Sequence, residues 1–501
     1  MTDLKQSPTP LTLRLRGPLT ASAIATRPPA YFPQGNSSLS RPAMPILSLP
    51  DEALVEILKI VIYSRAEDMD KFKRLPGGPK PRGPLFNPLP ILFSQVSTFF
   101  RRLVYRTPGL WAILEDATFM KPLFLKLHLD ISGECLLDIF CVTENIVNKY
   151  KSAIKPLLPH AHRWRSLRLD FYEAETAHLR STCRALRALE VPKLETIDMW
   201  HVYYRMTYDV PIVFRGGCPS LTAIRMFSII ACLPYNSSTV TSMFLGNVPC
   251  DAHITTSYTD LIDILAEMPN LERIEFQGHV FDVEPPLTLE AVHLPKLKTL
   301  EVDLTVMGGD EDVREGGPPQ RYLTTILKTF MHAPLTNLYL FSEQFYLRGV
   351  ILGLRKKEIV FSHVETLHWG FEGSMSFADS VAFAEAFPAL KDLVLTNIWP
   401  NIICALGSKS KALWRDLRKV QLPSSCLFRA LQLVNARIRA GLPLKCVQIT
   451  GRIKFKDSRD GGREDDEETS DQDMEDDDDS KNEDAVGIIM WMKKHVETLI
   501  L

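Results

Sequence analysis

The chain has 501 residues, 45% hydrophobic and 24% charged, which is the composition of a soluble globular protein long enough for two or more folding units. No run of eighteen apolar residues occurs in it, so no membrane span and no membrane partner are expected. The formal net charge of −2 hides an asymmetry, because residues 457–484 hold sixteen acidic and three basic side chains, a net of −13, and leave the rest at +11.

Nine cysteines are scattered without a single C-x-x-C pair. No zinc or disulfide framework follows from that spacing. The thiols read as reduced, which points to the cytoplasm or nucleus. The pair His160 and His162 has no second ligand cluster nearby in sequence, and no metal or cofactor is expected. No nucleic-acid partner is expected either. Asn36 and Asn236 lie in N-x-S sequons, which carry little weight without a secretory signal.

Residues 1–44 are rich in Pro, Ser, Thr and Ala and lack an apolar h-region. They read as a disordered tail rather than a signal peptide, and their prolines break any amphipathic transit helix.

Residues 45–115 form a first module. In "SLPDEALVEILKIVI", Pro50 suits the first turn of a helix, and Asp51 and Glu52 suit its positive dipole end. On that helix Leu54, Val55, Leu58 and Ile62 fall on one flank and Ile57, Ile60 and Val61 on the other. The apolar arc covers roughly 220°, against about 100° for an ordinary surface helix. The helix is expected to end near Tyr63, followed by an inserted Pro/Gly-rich loop over 63–89. "LPILFSQVSTFFRRLVY" predicts a second helix, and "TPGLWAIL" a short turn carrying Leu110 and Trp111.

The order Leu49, Pro50, Glu52, Leu54, Ile57, Leu58, then Ser94, Val96, Arg101, then Pro108, Leu110, Trp111 resembles the F-box. This sequence departs from that family in its long loop between the first two helices and in Phe100 before Arg101. The resemblance implies a three-helix module that docks a Skp-family adaptor, and through it a cullin complex. It assigns adaptor binding to Leu49, Pro50, Leu54, Ile57, Leu58, Val61, Val96, Leu110 and Trp111. One side of the module would pack on itself and the other would wait for the adaptor.

Residues 116–160 read as a linker with a first strand and helix, and 161–501 as a series of repeats. A turn residue followed by L-x-x-L-x-L recurs, as in "PKLETIDM", "PSLTAIRM", "PNLERIEF", "PKLKTLEV" and "PALKDLVL". Taking the second apolar position as a marker gives Leu167, Ile197, Ile224, Met243, Ile274, Leu300, Leu338, Leu367, Leu393, Val420 and Val447, most of them 26 to 31 residues apart. Helical patterns such as "YTDLIDILAEM" and "LFRALQLVNARIRAG" lie between the phrases. A period near 27 resembles the leucine-rich repeat, although the Asn that normally follows each strand is missing from most copies. The expected fold is therefore an α/β solenoid: a three-helix F-box followed by an irregular, fungal-type leucine-rich horseshoe with a parallel sheet. The final "VETLIL" repeats the phrase. The acidic stretch 457–484 is then a disordered insertion between the last two strands, with Ser470 and Ser480 as candidate phosphorylation sites.

Within L-x-L, the middle residue and the one after the pair point to the open face. The early strands offer Arg168, Trp200, Arg225 and Phe227, the middle ones acids, the later ones Tyr339 and His368. Arg and aromatic residues are favoured interface anchors, so these six are the expected substrate contacts. No catalytic motif is found, and no enzyme activity is expected of the chain itself. The reading is a substrate-recognition subunit of an SCF-type ubiquitin ligase. The alternative is a leucine-rich interaction scaffold outside ubiquitination, including a Ran-type GTPase-activating protein. That protein shares an acidic C-terminal segment but has regular, Asn-laddered repeats and no F-box.

Overall fold

The computed structural model describes residues 49–74, 88–119, 121–142, 154–171, 176–201, 213–228, 238–247, 257–281, 292–305, 318–342, 347–371, 375–396, 400–406, 413–451 and 481–500. The N-terminal tail, both sequon asparagines, residues 75–87 of the expected loop and the acidic stretch with Ser470 and Ser480 lie outside the described residues. The chain divides into two units, Met1–Pro50 and Asp51–Leu501. Of the first, Leu49 and Pro50 are described, and both are exposed.

The second unit begins with helices α1 (Asp51–Arg74), α2 (Leu89–Val96), α3 (Thr98–Tyr105) and α4 (Pro108–Trp111). α1 runs past its expected end at Tyr63, because "RAEDMDKFKR" contains no Gly or Pro and is rich in charged residues that accept helix. The single helix expected over 89–105 is broken at Ser97, whose backbone is extended with φ −161 and ψ 169. Its hydroxyl accepts from Phe100 N at 3.2 Å, an N-cap that restarts the helix as α3. Across the break Arg101 Nε donates to Ser94 O at 3.0 Å, and Ser94 Oγ donates to Ile91 O at 2.7 Å. Leu54, Leu58, Ile62, Leu103, Val104, Leu110, Trp111 and Ile113 form the module's core. Trp111 satisfies its indole N–H on Val104 O at 2.9 Å, the kind of partner a buried indole usually finds.

A sheet of fourteen strands follows, ordered as the chain runs. The strands are β1 (Ile113–Leu114), β2 (Leu137–Val142), β3 (Trp164–Asp170), β4 (Thr196–Trp200), β5 (Ala223–Phe227), β6 (Ser242–Gly246) and β7 (Arg273–Gln277). They continue as β8 (Thr299–Asp303), β9 (Asn337–Ser342), β10 (Thr366–Phe371), β11 (Asp392–Leu395), β12 (Lys419–Pro423), β13 (Cys446–Thr450) and β14 (Thr498–Ile500). Every pairing is parallel. The helices between them are α5 (Asp116–Phe119), α6 (Pro122–Ser132), α7 (Thr176–Leu186), α8 (Tyr258–Ala266), α9 (Pro318–Phe330), α10 (Leu347–Arg355), α11 (Phe377–Ala386), α12 (Pro400–Leu406), α13 (Leu427–Arg439) and α14 (Lys481–His495). This is a parallel, solenoid-like α/β arrangement.

The marker positions stand in one register. Leu167 pairs with Ile197, Ile197 with Ile224, and so on through Val420 and Val447 to Leu499. All but Leu499 are buried, and they join the helices' apolar residues in one core. A strand pointing alternate residues to opposite sides thus gives one face to that core and leaves the other open. Backbone bonds extend the parallel ladder one step before the strands. Examples are Glu195 N to Arg165 O, Lys391 N to Glu365 O and Arg418 N to Lys391 O, each at 2.8 Å. α8 and α11 start on capping boxes, Ser257 with Asp260 and Ser376 with Asp379.

Two boundaries differ from expectation. The sheet begins at Ile113, inside the span assigned to the helical module, rather than within 116–160. α14 begins at Lys481, inside the span assigned to the acidic insertion.

Candidate functional site

α1 has two apolar sides, and the structure treats them differently. Leu54, Leu58 and Ile62 are 1%, 6% and 0% exposed, locked against α3 and α4, whereas Ile57, Ile60 and Val61 are 39%, 62% and 42% exposed. Val96, at the end of α2, is 65% exposed, and Leu92 and Phe99 are also uncovered. Of the residues expected to meet an adaptor, Leu49, Pro50, Ile57, Val61 and Val96 are therefore accessible. Leu54, Leu58, Leu110 and Trp111 are corrected to core residues, since their side chains are spent on the module's own packing. Sequence reading missed Leu92 and Phe99 as accessible residues; both belong to the apolar run of "LPILFSQVSTFF". A groove between α1 and α3, of about 550 Å³, is lined by Val55, Phe99 and Leu103, with Asp51, Glu52 and Glu56 on one wall and Arg102 and Arg106 on the other.

The module is fastened to the start of the sheet. Tyr63, on α1, donates its hydroxyl to Asp138 Oδ2 on β2. Arg165, on β3, donates from Nε to Asp138 Oδ1 at 2.9 Å and from Nη2 to the Tyr63 oxygen at 3.0 Å. Burial, then the bond to Asp138, holds the Tyr63 hydroxyl well above its ordinary range. The bond to the same carboxylate also raises the Arg165 guanidinium above its ordinary value. At the back of the module His128, on α6, places Nδ1 3.0 Å from Trp111 O and packs its ring edge on the indole at 5.0 Å. Burial pushes His128 down from 6.5 to about 4.

The open face of the sheet is not uniform. On β4 to β6 the rings of Trp200, Phe227 and Phe244 stack, with centroids 4.5 Å apart for the first pair and 5.9 Å for Trp200 and Phe244. All three are buried and form a cluster separate from the main core. Gly246 faces Phe227 in register, and a Cβ there would strike the Phe227 ring. Arg225 lies over Phe244 at 4.9 Å from its centroid, a cation–π contact. Arg168 is buried beside Asp198, Nε to Oδ2 3.5 Å, and Trp200 donates its indole N–H to the same Asp198.

The six expected substrate contacts therefore separate. Arg225 is exposed, Tyr339 and His368 are half-buried and accessible, and their rings touch with centroids 4.2 Å apart. Arg168, Trp200 and Phe227 are corrected to interior positions, because cross-strand stacking and the Asp198 contacts cover them. Phe244 completes the stack and was missed, although "TSMFLG" places it at the residue after the marker.

Among the described residues no group of three or more His, Cys, Asp or Glu side chains could hold a metal ion. His160 and His162 sit in a short 3-10 turn, Leu158–Arg163. No helix among the described residues is long and apolar enough to cross a membrane. No protein-family model matches the chain, and no curated protein matches it either.

Proposed function

We propose that this chain is the substrate-recognition subunit of an SCF-type cullin ubiquitin ligase. Its helical module docks on a Skp-family adaptor, and the open face of its repeats holds a protein substrate. The observation that carries the reading is the division of α1: Leu54, Leu58 and Ile62 are sealed inside while Ile57, Ile60 and Val61 have no cover. Each large aliphatic side chain left in water forgoes roughly 1.5–3 kcal/mol of burial, and a partner groove would recover it. The ordered match to the F-box supports the choice of partner. Ubiquitin transfer itself belongs to other subunits; this chain raises the local concentration of substrate beside them. The setting is the cytoplasm or nucleus.

The test is co-purification of the full chain with a Skp-family adaptor. The wild type is expected to retain it. Ile57→Glu combined with Val61→Glu is expected to lose it while keeping an unchanged thermal unfolding profile, since both positions face solvent. An intact chain that does not bind the adaptor overturns the ligase reading and leaves the scaffold.

A further inference from the structure

The open face changes character strand by strand. On β3 to β5 the cations have local partners: Arg168 with Asp198, and Arg225 on the Phe244 ring. On β7 and β8 they fall short. Glu275, Glu301 and Asp303 share a face with a single guanidinium, that of Arg273, which reaches Glu301 at 2.7 Å and Glu275 at 3.5 Å. Glu275 and Glu301 are paired in register, as are Gln277 and Asp303. Burial first, then Glu275, with a smaller push from Asp303, raises the Glu301 carboxyl above its ordinary value despite Arg273. The block therefore carries more negative charge than it neutralises.

The next strands add rings at the same level. Glu301 is in register with Tyr339 and Asp303 with Phe341 on β9, and Tyr339 is in register with His368 on β10. Phe341 faces Gly370 in register, where a Cβ would meet the ring at 2.5 Å. Unlike the stack on β4 to β6, Tyr339, Phe341 and His368 remain partly open to solvent. Cations bound the patch on both sides, Arg225 on β5 and Lys419 on β12. The latter, after burial, helps hold His368 below its ordinary value. Carboxylates beside accessible rings suit a side chain with an apolar stem and a cationic head, the stem on the ring and the head on the acids.

We infer that the face of β7 to β9 docks a basic extended segment of the partner, a lysine- or arginine-bearing peptide. Calling that partner a ubiquitination substrate rests on the proposed function; the docking itself does not.

The experiment uses the full chain and a short fluorescent peptide of alternating arginine and serine, read by anisotropy at moderate salt. A glutamate–serine peptide is the charge-reversed control. Residues 457–484 are themselves strongly acidic, so a second chain carries Gln and Asn in place of their acids. Both chains are expected to bind the arginine peptide and not the glutamate peptide. Glu275→Gln with Glu301→Gln is expected to weaken binding by about tenfold or more, and Tyr339→Ala by several-fold. Asp303→Asn, a milder change, provides a second reading should the double variant unfold. The inference is overturned if the arginine peptide does not bind, if binding disappears only when 457–484 is neutralised, or if the folded variants bind as the wild type does. No adaptor is present, so failure here leaves the ligase reading intact. Success here without adaptor binding leaves a scaffold that takes basic partners.

Discussion

The helical module and the open face of the sheet solve opposite problems. The module buries its aromatic anchor, Trp111, and leaves aliphatic residues uncovered along α1 and at Val96. The sheet face buries its aromatic stack on β4 to β6 and leaves charges and small rings uncovered on β7 to β10. A strip of bare aliphatics discriminates little by charge and suits a constant partner. A face that presents fixed carboxylates beside rings discriminates by sign and suits a selected one. The difference teaches that exposure selects which residues are available for contact, and that their type separates the two kinds of contact in this molecule.

The largest way to break the comparison is Trp111→Ala. It removes a fully buried indole and its bond to Val104 O, and should cost about 3–5 kcal/mol. Limited proteolysis is expected to cut α1 to α4 first while the circular-dichroism signal of the sheet persists. Equal loss of both would mean that module and sheet unfold as one.

Lowering the pH should separate the regions next. His128 titrates near 4 when folded, against 6.5 ordinarily. The unfolded chain therefore binds the extra proton between those values and the folded chain does not. Stability from this site is complete above about pH 6.5 and is lost as pH falls toward 4, by up to about 3 kcal/mol. Urea unfolding at stepped pH checks this, and His128→Phe should flatten that part of the profile.

Gly246→Ala should have the smallest effect of the three, about 1–3 kcal/mol, because its methyl group intrudes on the Phe227 ring. Near-ultraviolet circular dichroism should report disorder in the Trp200 stack, with the exposed aliphatic strip of α1 unaffected.

Most of the sheet was legible because its signal is local and repeated. An apolar pair at a fixed offset from a turn residue fixes both strand and face, and all the markers from Leu167 to Val447 fell into one register. β1 escaped because Ile113–Leu114 is too short to alternate, and the strand expected in 116–160 could not be given bounds because "LDIFCV" follows Gly133 and Cys135 without the Pro-x-Leu phrase. The break at Ser97 was hidden because a serine inside an apolar run fits a helix as readily as a cap. At the candidate sites, the two-sidedness of α1 could be read from its wheel, but which side was sealed depended on Trp111 and Leu103. Trp200 and Phe227 looked like exposed anchors because nothing in one strand shows that its neighbours supply Phe244 and a bare Gly246. Such cross-strand fit lies between repeats, where a linear pattern is silent.

The bond of Tyr63 and Arg165 to Asp138 has a metric consequence. It mounts α1 on the first full-length strand, so distances along the sheet are measured from a fixed end. Neighbouring strands stand about 4.8 Å apart. A segment held at β8, six strands beyond β2 in the order of the sheet, would then stand roughly 29 Å from the mount, measured along the sheet. Adding or deleting one repeat would move it by one such step. The repeat number works as a ruler, and Asp138 is its zero mark.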